Sequence, residues 1–542
     1  MKRLTAIAFV IALLVLALPA VSLAANPHPS GRIVVGMLGD AETLNPLLSE
    51  NQNEQDILNG IFDNLLKVDD HGNFLPDLAT QVPTIQNGGI SKDGLVYTFH
   101  LRKDVKWHDG QPFTAKDVIF TWKTIMNPKV PVVSRSGFDK IAQMTAPDPY
   151  TVIMRLKEPF APFLLNWSGP GIVPEHILAK VPADQITKAG AFSHHPIGTG
   201  PFMFKEWKSG SYVLLTANKN YFGQGPYLSE VVFKVVPDSN TLLTQLRTHE
   251  IDILPGAQPN QYSELTKIQG IKILKKDAAI YAHITPNTIK NPILADKRVR
   301  QALEYALPRQ EIVAKVLGGI GRVASAASIT PTNWAFNPNL KPYPFDLNKA
   351  KALLAEAGWK PGPDGILQKD GRPLKLTIST NAGNKTREMI EQIAQQYWRQ
   401  IGVDLQIQNY EPTTFFGDIL DHMKFDLALF AWVSPPDPDE TTLYASWQIP
   451  DPATGNTNGQ NYAGYKNPEI DKILKEAVAT PDMAVRKKLY WREQEILHED
   501  LPLLYLYYYQ DIHAYNANLL NYRPSGTTVG NCWNIALWQL KK

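Results

Sequence analysis

The chain has 542 residues, 44% of them hydrophobic and 20% charged, with 54 lysines and arginines against 52 aspartates and glutamates. That length allows two or more domains with sizeable cores, and a near-neutral balance without any basic block excludes nucleic acid as the expected partner. The single cysteine, Cys532, excludes an internal disulfide and any zinc site built on several cysteines.

The first element is not part of the fold. Lys2 and Arg3 precede an apolar run from Ala6 to Leu18, which is too short for the ~20 residues of a membrane span. Pro19 and then Ser22-Leu23-Ala24 supply the small residues that a signal peptidase requires, so residues 1–24 predict a cleavable signal peptide. The signal carries two cations and no acid, which leaves the remainder uncharged overall. No cysteine lies near the cut, so no lipid anchor through cysteine is expected. An exported chain of this kind suits a periplasm.

Further on, "VYTFHL" (96–101) alternates as a strand with Tyr97, Phe99 and Leu101 on one face. "VKWHDGQPFTAKDV" (105–118) gathers a histidine, two aspartates, two lysines and a tryptophan. Asp109-Gly110 is a turn signal, and Thr114 with Asp117 is a helix-start pair. Phe113 and Val118 sit where a hydrophobic staple would close. Only His108 lacks a structural role, and one histidine beside one aspartate is too little for a metal. The cluster reads as architecture.

"SEVVFKVVPDSNTLLTQLRTHEIDIL" (229–254) reads as strand, turn, helix and short strand. Asp346 can cap a helix carrying Ala350, Leu353, Leu354 and Ala357, stopped by Gly358. "LKLTIS" (374–379), a helical stripe of Met389, Ile390, Ile393, Ala394, Tyr397 and Ile401, and "VDLQI" (403–407) then form a βαβ unit, which predicts an α/β fold. "FDLALFAW" (425–432) would be another strand, and it ends abruptly in "VSPPDPDETT". In open α/β sheets ligands bind beyond the carboxyl ends of strands, so this loop is a candidate site.

Enzyme signatures are missing. There is no Gly-Lys dipeptide for a P-loop, no HExxH and no GxSxG. His194-His195 falls in a loop before Pro196. Asp437 and Asp439 lie two residues apart on one loop, whereas glycosidase carboxylates flank the scissile bond. The twelve histidines show no ligand-like spacing, so no metal and no cofactor is expected.

"LPDLAT" (75–80) and "DGLVYTFHLRKDVKWHDGQPFTAKDVIFTW" (93–122) closely resemble the signature of the family 5 solute-binding proteins. These are the peptide-, dipeptide- and nickel-binding receptors of ABC importers. The likeness continues through "PIGTGPFMFKEW" (196–207), "NKNYFGQGPYLSEVVFKVVPD" (218–238), "EIDILPG" (250–256), "NPILADKRVRQALEYAL" (291–307), "DLNKAKALLAEAGW" (346–359) and "NYAGYKNPEID" (461–471). It implies a two-lobed periplasmic-binding-protein (flytrap) fold with an extra domain inserted in the first lobe. Lobe I would comprise 25–65, 196–285 and 506–542, the inserted domain 66–195, and the other lobe 286–505. The chain would cross between lobes near residues 285 and 505, with the histidine-bearing cluster at 105–118 in the insert, away from the usual pocket.

The resemblance also implies a function and a site. A monomeric receptor would capture a peptide between closing lobes and deliver it to an ABC permease and its ATPase. Extended peptides offer backbone donors and acceptors that pair with strand edges. In the family, a loop after a tryptophan and a segment near the mature N-terminus hold the ligand backbone. Here these match Ala431, Trp432, Val433, Ser434, Pro435 and Asp437, and Glu42, Thr43, Leu44 and Asn45. Tyr281, His283, Tyr507, Tyr508 and Tyr509 would form walls. Family members that bind short peptides place an aspartate about three residues after the tryptophan, where it meets the peptide ammonium. This chain has Pro435 there, so either Asp437 takes that role or no ammonium is anchored. An oligosaccharide receptor on the same fold, stacking sugars on Trp432 and Trp447, and an extracytoplasmic hydrolase are the alternatives.

Overall fold

The computed structural model describes residues 28–49, 51–169, 171–325, 328–450, 459–527 and 530–541. The expected signal peptide lies outside them. One large mixed sheet runs through the molecule in the order Asp404–Ile407, Lys375–Ser379, Leu427–Val433, Ile271–Pro286, Leu504–Asn516, Ile253–Ala257, Arg32–Met37, Glu230–Val235, Tyr212–Ala217 and Phe202–Lys208.

The two longest strands, Ile271–Pro286 and Leu504–Asn516, lie side by side and antiparallel at its centre. Each belongs to both halves of the molecule. Ile280–Pro286 of the first pairs with Leu427–Val433 of the second half, and the end of the other, 512–515, pairs with Ile253–Ala257 of the N-terminal sheet. Between Asp277 and Tyr281 their ladder breaks register: Asp277 opposes Gln510, and pairing resumes with Tyr281 opposite Tyr508. The unpaired residues bond elsewhere. Ala279 N–H donates to Gly526 O, and Ser434 N–H donates to Ala279 O at 2.7 Å.

Two main cores lie on either side of this crossing. The first joins Ile33, Val35, Val231 and Phe233 with Tyr97, Phe99, Trp107 and Val118, so residues 66–195 share the core of the first lobe. The second is built on Leu303, Leu354, Leu376, Trp398 and Leu429.

The βαβ reading is borne out. Lys375–Ser379 pairs in parallel with both Asp404–Ile407 and Leu427–Val433, and Lys385–Arg399 is the helix between them. Its buried face differs from the expected stripe. Met389 is exposed, and Trp398 and Glu391 are buried beside Ile390 and Ala394. Leu347–Glu356 is capped by Asp346, whose carboxylate accepts from Asn348 N and Lys349 N.

The 105–118 cluster is architecture, as its residues indicate. Thr114 and Asp117 form a reciprocal capping box on the helix Ala115–Met126. His108 is structural as well. Its Nε2 donates to Gly200 O at 3.0 Å while Nδ1 accepts from Gly198 N at 3.2 Å. That pair of bonds fixes the turn to the adjoining lobe, and burial pulls the imidazole below its ordinary range.

Candidate ligand-binding cleft

A cavity of about 480 Å³ opens where the two halves face each other, a usual size for a ligand pocket. Pro46, Leu47, Phe62 and Asn64 form one wall, and Trp533 joins them from the C-terminal segment. Residues 125–169 of the insert form the second wall, through Ile125, Val133, Phe138, Phe160 and Leu165. Among the described residues the opposite half reaches it only through Pro436. The cavity narrows past Val68 and Leu165 into a slot beneath the proline loop, where Ser434, Pro435 and Asp437 face Asn333, Trp334 and Thr527.

The loop is rigid for identifiable reasons. Asn333 Nδ2 donates to the carbonyls of Pro435 and Pro436, whose rings already fix φ. Asp437 receives two bonds from the Arg486 guanidinium, at 2.6 and 2.8 Å, from the helix Met483–Asp500. Burial opposes the charge of Arg486, but the paired carboxylate more than offsets it and holds the guanidinium above its ordinary value. Arg486 also bonds Ala477 O and Tyr490 Oη.

Two buried polar atoms at the cleft have no partner among the described residues: Asn64 Oδ1 on the cavity wall and Ser434 Oγ in the slot. The Asn64 main chain is fixed on both sides, its N–H donating to Asp77 and its carbonyl accepting from Leu78 N. Such atoms favour a ligand that hydrogen-bonds to them. Lys67, at the cavity floor, lies 2.8 Å from Asp63 and 2.9 Å from Asp77. Burial, together with the nearby Asp63 charge, pushes Asp77 up to about 7.

Several expected site residues sit elsewhere. Thr43, Leu44 and Asn45 are buried, and the main-chain N–H groups of their segment are already engaged, Asn45 N by Thr43 Oγ1. Glu42 N and Thr43 N donate to Glu54, and Leu44 N donates to Ser193 O. Glu42 itself pairs with Lys188. The wall begins one residue later, at Pro46.

Tyr281, Tyr507 and Tyr508 are core residues, and His283 is fully buried between Tyr281 and Phe430. Burial pulls His283 down to about 3, so it is neutral. Tyr509 is half-buried, 5.1 Å from the Tyr507 ring. Trp432 lies off the cavity, half-buried and stacked on Tyr462 at 6.2 Å; Val433 is exposed and Ala431 is half-buried. Asp437 lines the slot, but its carboxylate is engaged by Arg486. The 105–118 cluster lines none of this cavity, but other residues of the insert supply a whole wall. The sequence carries one signal for it: "VPVV" (130–133), an apolar run in a loop, leaves Val133 55% exposed.

A central two-strand crossing, two cores and a cleft with unpartnered polar atoms define a two-lobed binding protein. The model of bacterial extracellular solute-binding proteins, family 5 Middle, matches residues 73–452, and the chain belongs to that family. The family is one of solute-binding receptors, not enzymes. The oligopeptide-binding protein AppA of Bacillus subtilis is 34% identical over 96% of this chain and 93% of its own length. Its structure, solved with a nonapeptide, superposes with a TM-score of 0.66 at 34% identity, covering 95% of this chain and 100% of that one. The dipeptide-binding protein of Escherichia coli is 31% identical over 77% of this chain and 78% of its length. NikZ of Campylobacter jejuni, solved with Ni(L-His), is 30% identical with a TM-score of 0.68, covering 94% of this chain and 100% of NikZ. Among the described residues no helix is long and apolar enough to cross a membrane.

Proposed function

We propose that the chain is the periplasmic receptor of an ABC importer. It captures peptides between two closing lobes and hands them to the membrane permease and its ATPase. It works as a monomer, exported by residues 1–24 without a lipid. The lobes are those expected from the sequence, with 66–195 as an insert that also lines the ligand.

The observation carrying this reading is the cleft itself, walled by the first half and its insert, met from the other half by Pro436 and the proline-loop slot, and bearing unpartnered polar atoms that suit a ligand backbone. The relatives that bind oligopeptides and dipeptides support it. The hinge is the register break at Asp277–Tyr281 opposite Tyr508–Gln510, where ladder bonds are already absent and a change of φ and ψ disturbs least. That is several residues from the crossings near 285 and 505. Native mass spectrometry of freshly purified protein should find co-purifying peptides, and small-angle scattering should show a smaller radius of gyration when peptide is added. A peptide mixture that is neither retained nor able to change the scattering profile refutes the reading.

A further inference from the structure

The cavity wall is chemically one-sided. Leu47, Phe62, Ile125, Val133, Leu165 and Trp533 give it a predominantly apolar surface. Among the described residues Lys67 is the only charged side chain lining it, and two aspartates already hold that ammonium. A ligand anion placed there would meet a lysine whose charge is balanced by Asp63 and Asp77. Among the described residues a ligand cation would meet no free carboxylate, because Asp63 is fully buried and Asp77 nearly so, and both pair with Lys67. Either charge would lose its hydration without a partner. The one carboxylate among the described residues lining the neighbouring slot, Asp437, is bound through both oxygens to Arg486.

Resting on the peptide reading above, we propose that this cavity selects the ligand. It takes an uncharged, apolar stretch of an extended peptide, and neither peptide terminus is anchored in it. Selection arises from burying aliphatic or aromatic side chains against the insert wall, and charged side chains are excluded by desolvation.

Calorimetry with acetylated, amidated pentapeptides of sequence Ala-Ala-Xaa-Ala-Ala tests this, with Xaa as Leu, Phe, Lys or Glu. A single non-alanine residue lets each peptide slide until its best side chain fills the cavity. Peptides with Leu or Phe should bind at least about tenfold more tightly than those with Lys or Glu. Val133→Asp places a carboxylate on a part of the wall that is 55% exposed, where a charge keeps its hydration in the free protein. It should weaken the Leu peptide about tenfold and shrink or reverse its advantage over the Lys peptide. Equal affinities for the four peptides in the unaltered protein would overturn the selectivity and leave the peptide reading standing. An unchanged Leu-to-Lys ratio in a folded Val133→Asp variant would likewise overturn it. Binding of none of the four overturns both.

Discussion

Asp437→Asn separates two roles for the same carboxylate. As a ligand anchor, Asp437 would matter only for peptides with a free ammonium. As the partner of Arg486, it matters for the fold. The Arg486 side chain is 1% exposed and that of Asp437 11%. Replacing the carboxylate by an amide removes the opposite charge and one acceptor oxygen, leaving a buried guanidinium with the amide oxygen, Ala477 O, Tyr490 Oη, Met483 Sδ and the faces of Trp334 and Tyr490. Removing one partner of a buried pair costs about 3–5 kcal/mol. In a unit the size of the second lobe each kcal/mol is about 2–4 °C. Scanning calorimetry should therefore show the lobe's transition lowered by on the order of 10 °C. Replacing both partners by hydrophobic residues, Asp437→Leu with Arg486→Met, should recover most of that loss. Affinities for free and acetylated forms of one peptide should change by the same factor in Asp437→Asn. An unchanged melting transition with a loss confined to free-amine peptides would refute this reasoning, because the carboxylate would then leave Arg486 to meet the ligand.

Three further outcomes follow from other contacts. Trp432→Ala removes a half-buried ring stacked on Tyr462 and edge-on to Phe430, and should cost about 2 kcal/mol of stability with less than a tenfold loss of affinity. A hundredfold weaker affinity at unchanged stability would instead make Trp432 a ligand platform. His108→Ala loses two bonds to the Gly198–Gly200 turn and should cost about 1–2 kcal/mol by urea unfolding, leaving peptide affinity intact. The third concerns pH. Burial pushes Glu440 up to about 8, and burial with the neighbouring Glu440 and Asp439 charges pushes Glu493 well above the carboxylate range. The folded protein thus holds protons that the unfolded chain has released above about 4.5, and stability falls as pH rises towards 8. Buried His283 and His513, pulled down to about 3 and about 4, act oppositely, but their contribution is complete above pH 6.5. Stability should therefore decline between about pH 6.5 and 8.5, and Glu440→Gln should flatten the upper part of that decline. An identical slope in the variant would remove Glu440 from the account.

What the sequence discloses, and what it hides, divides along local and non-local lines. Capping at Thr114 and Asp346, the parallel strands around Lys385–Arg399 and the loop after Leu427–Val433 all rest on residues close in sequence. Periodicity and turn chemistry specify them. The stripe on Lys385–Arg399 differs from its periodic pattern because Trp398 packs in the core and its indole donates to Leu303 O. No nearby residue announces that contact. The tyrosines at 281, 507 and 508 pass for walls in the sequence for the same reason. Their burial follows from pairing between strands more than 200 residues apart, where Tyr281 lies opposite Tyr508. Asp437 looks free in the sequence because its partner lies 49 residues further along.

The loop's place in the molecule gives those non-local contacts a mechanical meaning. Ser434 N–H binds Ala279 O in the register break, just before the proline carbonyls that Asn333 holds. Asp437 then ties the same loop to the helix Met483–Asp500 through Arg486. With the proposed hinge at the break, rotation there would carry loop, Asn333 segment and helix together, moving Pro436 against the cavity as one body. The insert meets that body directly, where Ala161 N–H donates to Val478 O at 2.8 Å at the end of the preceding helix. Closure is thus read out at two places, the cavity and the Ala161–Val478 bond. Amide exchange at Ala161 should slow when the Leu pentapeptide is added. Exchange there that is indifferent to peptide, while the radius of gyration shrinks, would mean the lobes close without engaging the insert.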